Sequence, residues 1–188
     1  MRQAAATAAA RPEPSLNLTW ITPHLAIGGR LSDAESARLA ADERVGAVVD
    51  LRSEAVDERA ILHAQGIAFL HLPTDDHAAV TAAMLDEGVA FAEAQRAAGR
   101  RLLIHCEHGI GRSATLALAA LVAGGMAPLD ALNLAKDRRD RVSPSPAQYG
   151  CWRDWLLARR ARTSEAWEVP DFDLFASIAY RHLAAAKA

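Results

Sequence analysis

The stretch from Leu102 to Ser113 (LLIHCEHGIGRS) constrains this chain more than any other part of its sequence. A short hydrophobic run leads directly into a loop that contains Gly109 and Gly111, and the loop leads into an apolar run that ends near Ala123. Glycine permits positive φ, so the N–H groups of such a loop can converge, and the unpaired N–H groups of the following helix point the same way. The stretch therefore predicts a strand, a loop that binds a tetrahedral oxyanion, and a buried helix.

Short β-like runs alternate with helical patterns along most of the chain. The predicted strands are Leu25 to Ile27, Val45 to Leu51, Ile67 to Leu72 and Leu102 to His105. The predicted helices run from Ser32 to about Ala41, from Glu54 to Gln65, from about Val80 to Gly99, from Ser113 to Ala123, from Pro128 to about Arg139 and from Ser145 to about Arg160. A capping box opens the first helix, and Gly66 is placed to end the second in a left-handed conformation. This alternation predicts an α/β fold with a central, mostly parallel sheet of four to five strands flanked by helices.

The chain has 188 residues, of which 51% are hydrophobic, which suits one ordinary domain. Residues 1–15 carry an alanine run and nothing large to bury, so we expect a disordered arm. Residues 16–162 form the expected domain. Residues 163–188 predict an amphipathic C-terminal helix, capped by Asp171, that either packs back onto the domain or docks a partner. The apolar side of this helix consists of Leu174, Phe175, Ile178 and Leu183.

The charge balance and the cysteine count exclude several classes of protein. The chain has 21 Lys and Arg against 23 Asp and Glu, a formal charge of −2, so it has no general attraction to nucleic acid. No run approaches the ~18 to 20 uninterrupted apolar residues of a membrane span, and no secretory signal is visible. Cys106 and Cys151 are too few for a disulfide scaffold and lack the pairing of a structural zinc site, so we expect a reducing, cytoplasmic compartment.

Cys106 lies at the mouth of the predicted oxyanion loop. The converging N–H groups and the charge of Arg112 stabilise a thiolate, so this cysteine is expected to be a nucleophile at neutral pH. The planar guanidinium of Arg112 can grip two oxygens of an oxyanion at once. Ser113 is placed to hydrogen-bond the sulfur and to ease its departure from a covalent intermediate. His105 is expected to brace the loop through hydrogen bonds.

This pattern resembles the signature of the cysteine-dependent protein tyrosine phosphatases. The residues that carry the signature are His105, Cys106, Arg112 and Ser113, with five residues between the cysteine and the arginine. The segments that resemble the small dual-specificity branch are 20–29 (WITPHLAIGG), 48–52 (VVDLR) and 70–76 (LHLPTDD). The likeness covers about residues 18–160, and it implies the fold of that superfamily and a phosphorylated protein or small phosphomonoester as the substrate.

The resemblance also implies a role for each position of the loop and for one aspartate before it. The backbone N–H groups that would hold the phosphoryl oxygens belong to Glu107, His108, Gly109, Ile110, Gly111 and Arg112. The general acid of the family lies on a mobile loop before the nucleophile, and here Asp76 is favoured over Asp75, which would keep that loop polar. In the alternative, both aspartates cap the helix that begins near Val80.

Several residues near the signature allow two interpretations. Gln148 lies where some relatives orient the hydrolytic water, but together with Ser145, which replaces a common asparagine, it also forms a capping box. Glu107 is expected to face solvent or to pair with an arginine, and His108 to point outward. Residues 136–141 either lie at the rim of the catalytic cleft or form a solvent-exposed helix end.

Three further observations concern structural residues and metals. Arg52 is expected to pair with a local carboxylate. Cys151 is expected to be a small hydrophobic residue on a helix, with a resolving thiol for oxidised Cys106 as the alternative. His105, Cys106 and His108 are too closely spaced to face one zinc ion. We therefore expect no metal and no cofactor.

The chain is expected to hydrolyse phosphomonoesters through a cysteinyl-phosphate intermediate, as a protein tyrosine or dual-specificity phosphatase. The lack of a long aromatic substrate loop favours a shallow, dual-specific site. Neither Glu107 nor His108 is the lysine that relatives favouring inositol phospholipids carry in this loop, so the resemblance implies a substrate other than those lipids. The same chemistry would serve an inositol phosphate, a nucleotide or a sugar phosphate. Alternatives of other classes are a phosphate-binding module without turnover and a rhodanese-like sulfurtransferase. The sequence does not indicate an oligomeric state.

Overall fold

The computed structural model describes residues 16–185, so the arm predicted over residues 1–15 lies outside the described residues. The strands are β1 (Leu18–Thr22), β2 (Leu25–Gly28), β3 (Val45–Arg52), β4 (Ala68–Thr74) and β5 (Arg101–His105). The helices are α1 (Asp33–Ser36), α2 (Leu39–Glu43), α3 (Arg59–Ala64), α4 (Ala82–Ala97), α5 (Arg112–Ala123), α6 (Pro128–Arg138), α7 (Pro146–Thr163), α8 (Phe172–Ala179) and α9 (Arg181–Ala185).

The five strands form one sheet in the order β1-β2-β5-β3-β4. The strands β2, β5, β3 and β4 are parallel neighbours, and β1 pairs antiparallel with β2 at one edge. The predicted α/β fold with a mostly parallel sheet is confirmed. The residue pattern does not predict β1 as a strand. Only one residue of this short edge strand, Ile21, is buried, so buried and exposed side chains do not alternate clearly along it. The carboxyl ends of the parallel strands meet at one edge, where the loops after β3, β4 and β5 lie together.

The helix α5 is the centre of the main helical layer. Nearly all of its residues are buried, because β5 lies beneath it and α4, α6 and α7 pack around it. The other face of the sheet is covered by a smaller layer, in which Leu39 of α2 and Leu62 of α3 are fully buried. Packing on all sides of α5 fixes the position of its first turn, and with it the end of the loop that leads from β5.

The predicted start of the helix from Glu54 to Gln65 is wrong. The helix, α3, begins at Arg59. The carboxylate of Glu54 pairs with Arg112 at the end of the signature stretch, and that of Asp57 pairs with Arg52 at the end of β3. These pairs hold residues 54–58 outside a helix. The predicted end is confirmed, since Gly66 follows with a φ of 73°.

The helix predicted from Ser32 to Ala41 is split into α1 and α2. Its capping box is present, with the Ser32 hydroxyl accepting a hydrogen bond from the Glu35 N–H. The side chain of Gln65 bridges the break, because it donates to the Ser36 carbonyl and accepts from the Ala40 N–H. One amide thus satisfies the two backbone groups that a continuous helix would have paired.

The C-terminal segment packs back onto the domain. Asp171 caps α8, as predicted, and Phe175 is fully buried with its ring centroid 4.8 Å from that of Tyr149. Leu174 and Leu183 were expected on the buried side but are exposed, because the face of α8 that contacts the domain runs through Phe175. Within residues 16–185, no helix has the length and apolar character needed to cross a bilayer.

Candidate active site

The loop between β5 and α5, residues 106–111, lies at the carboxyl edge of the parallel strands; we call it the signature loop. Gly109 has a φ of 68°, and a Cβ at this residue would lie 2.5 Å from the Gly28 carbonyl oxygen. A Cβ at Gly111 would lie 2.4 Å from Oε1 of Gln148. Gly109 is therefore required by its positive φ and by the close approach of the Gly28 backbone, whereas the neighbour of Gly111 is the end of the Gln148 side chain.

The thiol of Cys106 is buried, and hydrogen-bond donors surround its sulfur. Its Sγ accepts a hydrogen bond from the Gly109 N–H at 3.3 Å and lies 3.3 Å from the Ser113 hydroxyl oxygen. Burial alone would raise the pKa of Cys106, but hydrogen bonds from Ser113, Gly109 and the His108 backbone outweigh it and lower the pKa below its ordinary value. The arrangement favours a thiolate, as the sequence predicts.

We expect iodoacetamide to alkylate Cys106 and to spare Cys151. The lowered pKa of Cys106 raises its thiolate fraction at any given pH, whereas burial raises the pKa of Cys151 to about 11. The labelling rate of Cys106 should therefore reach its plateau below the pH at which an ordinary thiol, with a pKa of about 8.5, ionises. Peptide mass spectrometry after timed labelling across a pH series measures both rates.

The variant Ser113→Ala should move the midpoint of that pH profile upward, because it removes the hydroxyl donor to the sulfur. Faster labelling of Cys151 than of Cys106 at neutral pH would contradict the thiolate assignment.

Arg112 is held by two segments on the other side of the site. Its Nη1 and Nη2 donate to the two carboxylate oxygens of Glu54 at 2.7 and 2.8 Å, and Nη1 also donates to the Thr74 carbonyl at 2.8 Å. The guanidinium lowers the pKa of Glu54 to about 2, so this ion pair persists at ordinary pH. The Nε–H of Arg112 is buried and has no hydrogen-bond partner among residues 16–185. An unpaired buried donor is costly, and an oxyanion bound beside it would satisfy it.

The two aspartates before the nucleophile lie on the loop of residues 75–79, which we call the acidic loop, and they make different contacts. Asp76 is half-exposed, and its Oδ1 lies 3.2 Å from Nη2 of Arg112. Asp75 instead accepts a hydrogen bond from the Ser53 hydroxyl at 2.6 Å. The alternative in which both cap the next helix is wrong, because the cap of α4 is Thr81.

His105 is buried behind the signature loop in a charged network. Its Nε2 lies 2.8 Å from a carboxylate oxygen of Asp57, and because a carboxylate only accepts, Nε2 carries the hydrogen. Arg52 joins Asp57 to Asp50 with contacts of 2.6 and 2.8 Å, which confirms the prediction that Arg52 pairs locally. His105 is thus braced by a side-chain carboxylate.

The same network has the composition of a metal site. Asp50, Asp57 and His105 place one ligand atom each within 4.8 Å of the others. Arg52 already donates to both carboxylates. The guanidinium occupies the oxygens that a metal would need, so the donor set fits an ion-paired cluster and does not fit a metal centre.

Arg139 holds the outer side of the signature loop. Its Nε donates to the Gly109 carbonyl at 2.9 Å, and its Nη2 donates to the His108 carbonyl at 3.2 Å. Burial lowers the pKa of Arg139 to about 10, which leaves it charged at neutral pH. The interpretation of residues 136–141 as a solvated helix end is wrong for Arg139 and for Lys136, which are both buried. Arg139 therefore supports the signature loop, because its guanidinium holds two backbone carbonyls of that loop in place.

The remaining residues of the signature loop face outward. Glu107 pairs with Arg30 at 3.3 Å, as expected for a carboxylate beside an anion site. His108 is exposed, and Ile110 is half-buried with its carbonyl accepting from the Ser143 N–H at 3.0 Å. The rim thus carries a neutralised carboxylate and an imidazole.

Gln148 and Ser145 form the predicted capping box at the start of α7. In addition, Nε2 of Gln148 donates to the Ala78 carbonyl at 3.2 Å, and the Ser145 hydroxyl donates to the His77 carbonyl at 2.9 Å. Both acceptors belong to the acidic loop. The sequence pattern predicts the cap but gives no sign of this second connection.

Residues 29–155 match the family model of the dual specificity phosphatase catalytic domain. Mouse dual specificity protein phosphatase 8 is 29% identical over 136 residues, which are 71% of this chain and 20% of that protein. Human dual specificity protein phosphatase 1 is 38% identical over 72 residues, which are 38% of this chain and 20% of that protein. The chain thus spans about a fifth of the length of these relatives.

Solved structures show the same architecture. PTPMT1 in complex with PI(5)P has a TM-score of 0.72 at 25% identity and covers 78% of this chain and 98% of its own. Tk-PTP in the active form has a TM-score of 0.66 at 25% identity, with 78% and 97% covered. The predicted resemblance is therefore confirmed. Because the matched region contains three of the parallel strands, the acidic loop and the whole signature loop, this chain belongs to the dual specificity phosphatase family through its catalytic domain.

Proposed function

We propose that this chain hydrolyses phosphomonoesters on proteins as a dual-specificity phosphatase, through a cysteinyl-phosphate intermediate. One observation carries the proposal. The sulfur of Cys106 accepts a hydrogen bond from the Gly109 N–H of the signature loop, and at the end of the same loop the buried Nε–H of Arg112 lacks a partner among the described residues. A sulfur nucleophile beside an unsatisfied cationic donor suits a phosphate dianion.

In the first step, the Cys106 sulfur attacks phosphorus in line with the leaving oxygen. The S–P bond forms as the bond from phosphorus to the alcohol oxygen breaks, and Asp76 gives that oxygen its proton. The N–H groups of the signature loop and the guanidinium of Arg112 hold the three nonbridging oxygens. Their fixed orientation supplies most of the rate, because a phosphoryl transition state gains little from bond making.

In the second step, water attacks the phosphorus of the cysteinyl-phosphate. The carboxylate of Asp76 accepts the proton of this water, the S–P bond breaks, and inorganic phosphate and a thiolate result. The Ser113 hydroxyl, 3.3 Å from the sulfur, donates to the departing thiolate. The Gln148 amide binds the N–H of Ser145 and the carbonyl of Ala78, which supports a role in holding the acidic loop.

The rim of the site favours a protein substrate over a lipid headgroup. Arg30 neutralises Glu107, and the signature loop has no lysine that would add charge for a second phosphate. The structure of PTPMT1, a structural neighbour, is a complex with PI(5)P, so a phosphoinositide is the alternative for the same chemistry.

A rate comparison at one pH tests the substrate class. We expect a phosphotyrosine peptide and a phosphothreonine peptide both to be hydrolysed, each with a kcat/KM at least about tenfold above that of PI(5)P in mixed micelles, a difference of about 1.4 kcal/mol in transition-state free energy. Phosphate release from the wild-type chain gives the three values, and the Cys106→Ser variant reports any contaminating phosphatase. A higher value for PI(5)P would overturn the protein substrate while leaving the cysteine chemistry in place.

A further inference from the structure

Two side chains at the start of α7 bind consecutive carbonyls of the acidic loop. The Ser145 hydroxyl donates to the His77 carbonyl at 2.9 Å, and Nε2 of Gln148 donates to the Ala78 carbonyl at 3.2 Å. These residues are about 70 positions apart in the chain, as the separations of 68 and 70 show. The contacts therefore join two loops that the sequence does not place side by side.

The carbonyl that Ser145 holds belongs to a strained residue. His77 has a φ of 60°, in the left-handed region that a residue with a Cβ rarely adopts, and such a conformation persists only when its surroundings hold it. Its own side chain is 86% exposed, so burial of the ring does not hold it. The neighbouring Asp76 is joined to this turn, because its Oδ1, which lies 3.2 Å from Nη2 of Arg112, also accepts a hydrogen bond from the His77 N–H at 3.1 Å.

We propose that Ser145 is a positioning residue for the proton donor. The hydroxyl fixes the carbonyl of His77, the fixed turn keeps Asp76 beside Arg112, and the carboxyl group is thereby ready when a phosphate enters. The proposal rests on the proposed function, because it assigns Ser145 to the step in which Asp76 protonates the leaving oxygen.

Ser145 can be tested separately from the helix cap. Its oxygen accepts from the Gln148 N–H at 3.2 Å, which caps α7, while its hydrogen goes to His77. Asparagine and aspartate both serve well as N-caps, but only asparagine has a hydrogen to donate. Glycine at the N-cap lowers helix stability only slightly, and it removes the hydroxyl donor to His77 without adding a charge. Gln148 does not allow this separation, because it is buried against the signature loop.

The experiment compares Ser145→Asp, Ser145→Gly and Ser145→Asn with the wild-type chain. We expect Ser145→Asp and Ser145→Gly to lower kcat/KM for phenyl phosphate by about 10- to 10²-fold, since a small misplacement of a catalytic group has an effect of this size. The loss should be much smaller with dinitrophenyl phosphate, whose leaving oxygen needs no proton. Ser145→Asn should retain most of the wild-type rate on both substrates. The iodoacetamide labelling of Cys106 should be unchanged in all three variants.

Three results would overturn the proposal. They are wild-type rates in Ser145→Asp and Ser145→Gly, an equal loss on both substrates, or a loss in Ser145→Asn as large as that in Ser145→Gly. Thermal unfolding shows whether α7 is intact, and a variant that fails to fold is replaced in the comparison by the other donor-free variant. Turnover that survives Cys106→Ser would instead overturn the proposed function, so the two failures are distinguishable.

Discussion

Replacing Cys106 by serine should lower kcat for an aryl phosphate by at least about 10⁴-fold. The donors around the sulfur, from Ser113 and Gly109, lower the pKa of the Cys106 thiol and so favour its thiolate, whereas an alcohol starts far higher and stays protonated. The variant therefore has no nucleophile at neutral pH, and no covalent intermediate forms. Release of nitrophenol under saturating substrate measures the loss.

Two controls make this result specific to the nucleophile. The Cys106→Ser variant should still bind phosphate or vanadate by calorimetry, because the signature loop and Arg112 are intact. Cys151→Ser should keep the wild-type rate, since Cys151 lies on α7 and its thiol donates to the backbone of its own helix. Undiminished turnover in Cys106→Ser would refute the mechanism.

Replacing Asp76 by alanine should lower kcat for phenyl phosphate by about 10²- to 10⁴-fold. A phenoxide leaves phosphorus poorly without a proton, and Asp76 is the acidic-loop carboxylate that lies 3.2 Å from Arg112. The loss should be milder for a nitrophenyl ester, because nitrophenolate leaves readily on its own. Rates on the two esters, compared with those of the wild-type chain, give the dependence on the leaving group.

Asp75→Ala is the matched control, because the chain places a second carboxylate one residue away. Asp75 accepts a hydrogen bond from Ser53, so its loss should affect the stability of the acidic loop more than the leaving-group dependence. If Asp75→Ala shows the selective loss and Asp76→Ala does not, the general acid has been assigned to the wrong aspartate.

The sequence predicts the parts of the site that are continuous in the chain. The strand, the signature loop and α5 follow one another over residues 101–123, so hydrophobic pattern and glycine placement suffice to predict them. The capping box of Ser145 and Gln148 is local for the same reason. The family resemblance adds the acidic loop, which has no local signal of its own.

The contacts that orient the site could not be predicted, because they join residues far apart in the sequence. Glu54 binds Arg112 across 58 positions, and Asp57 binds His105 across 48. Local propensity even favours a helix over residues 54–58, and the ion pairs override it. Arg139 stands in a run of alternating charges, a pattern that ordinarily indicates solvent exposure.

Arg139 also bears on where the catalytic unit of this chain begins. Besides its two carbonyls in the signature loop, its guanidinium donates to the Asn17 side chain at 2.9 Å and to the Thr19 hydroxyl at 3.1 Å. Both acceptors precede residue 29, the first position shared with the family model. A truncation drawn at that shared boundary would strip a buried cation of two acceptors and loosen its hold on the loop around Cys106. A fragment that keeps these contacts therefore has to include Asn17 and Thr19, which precede the residues that match the family model.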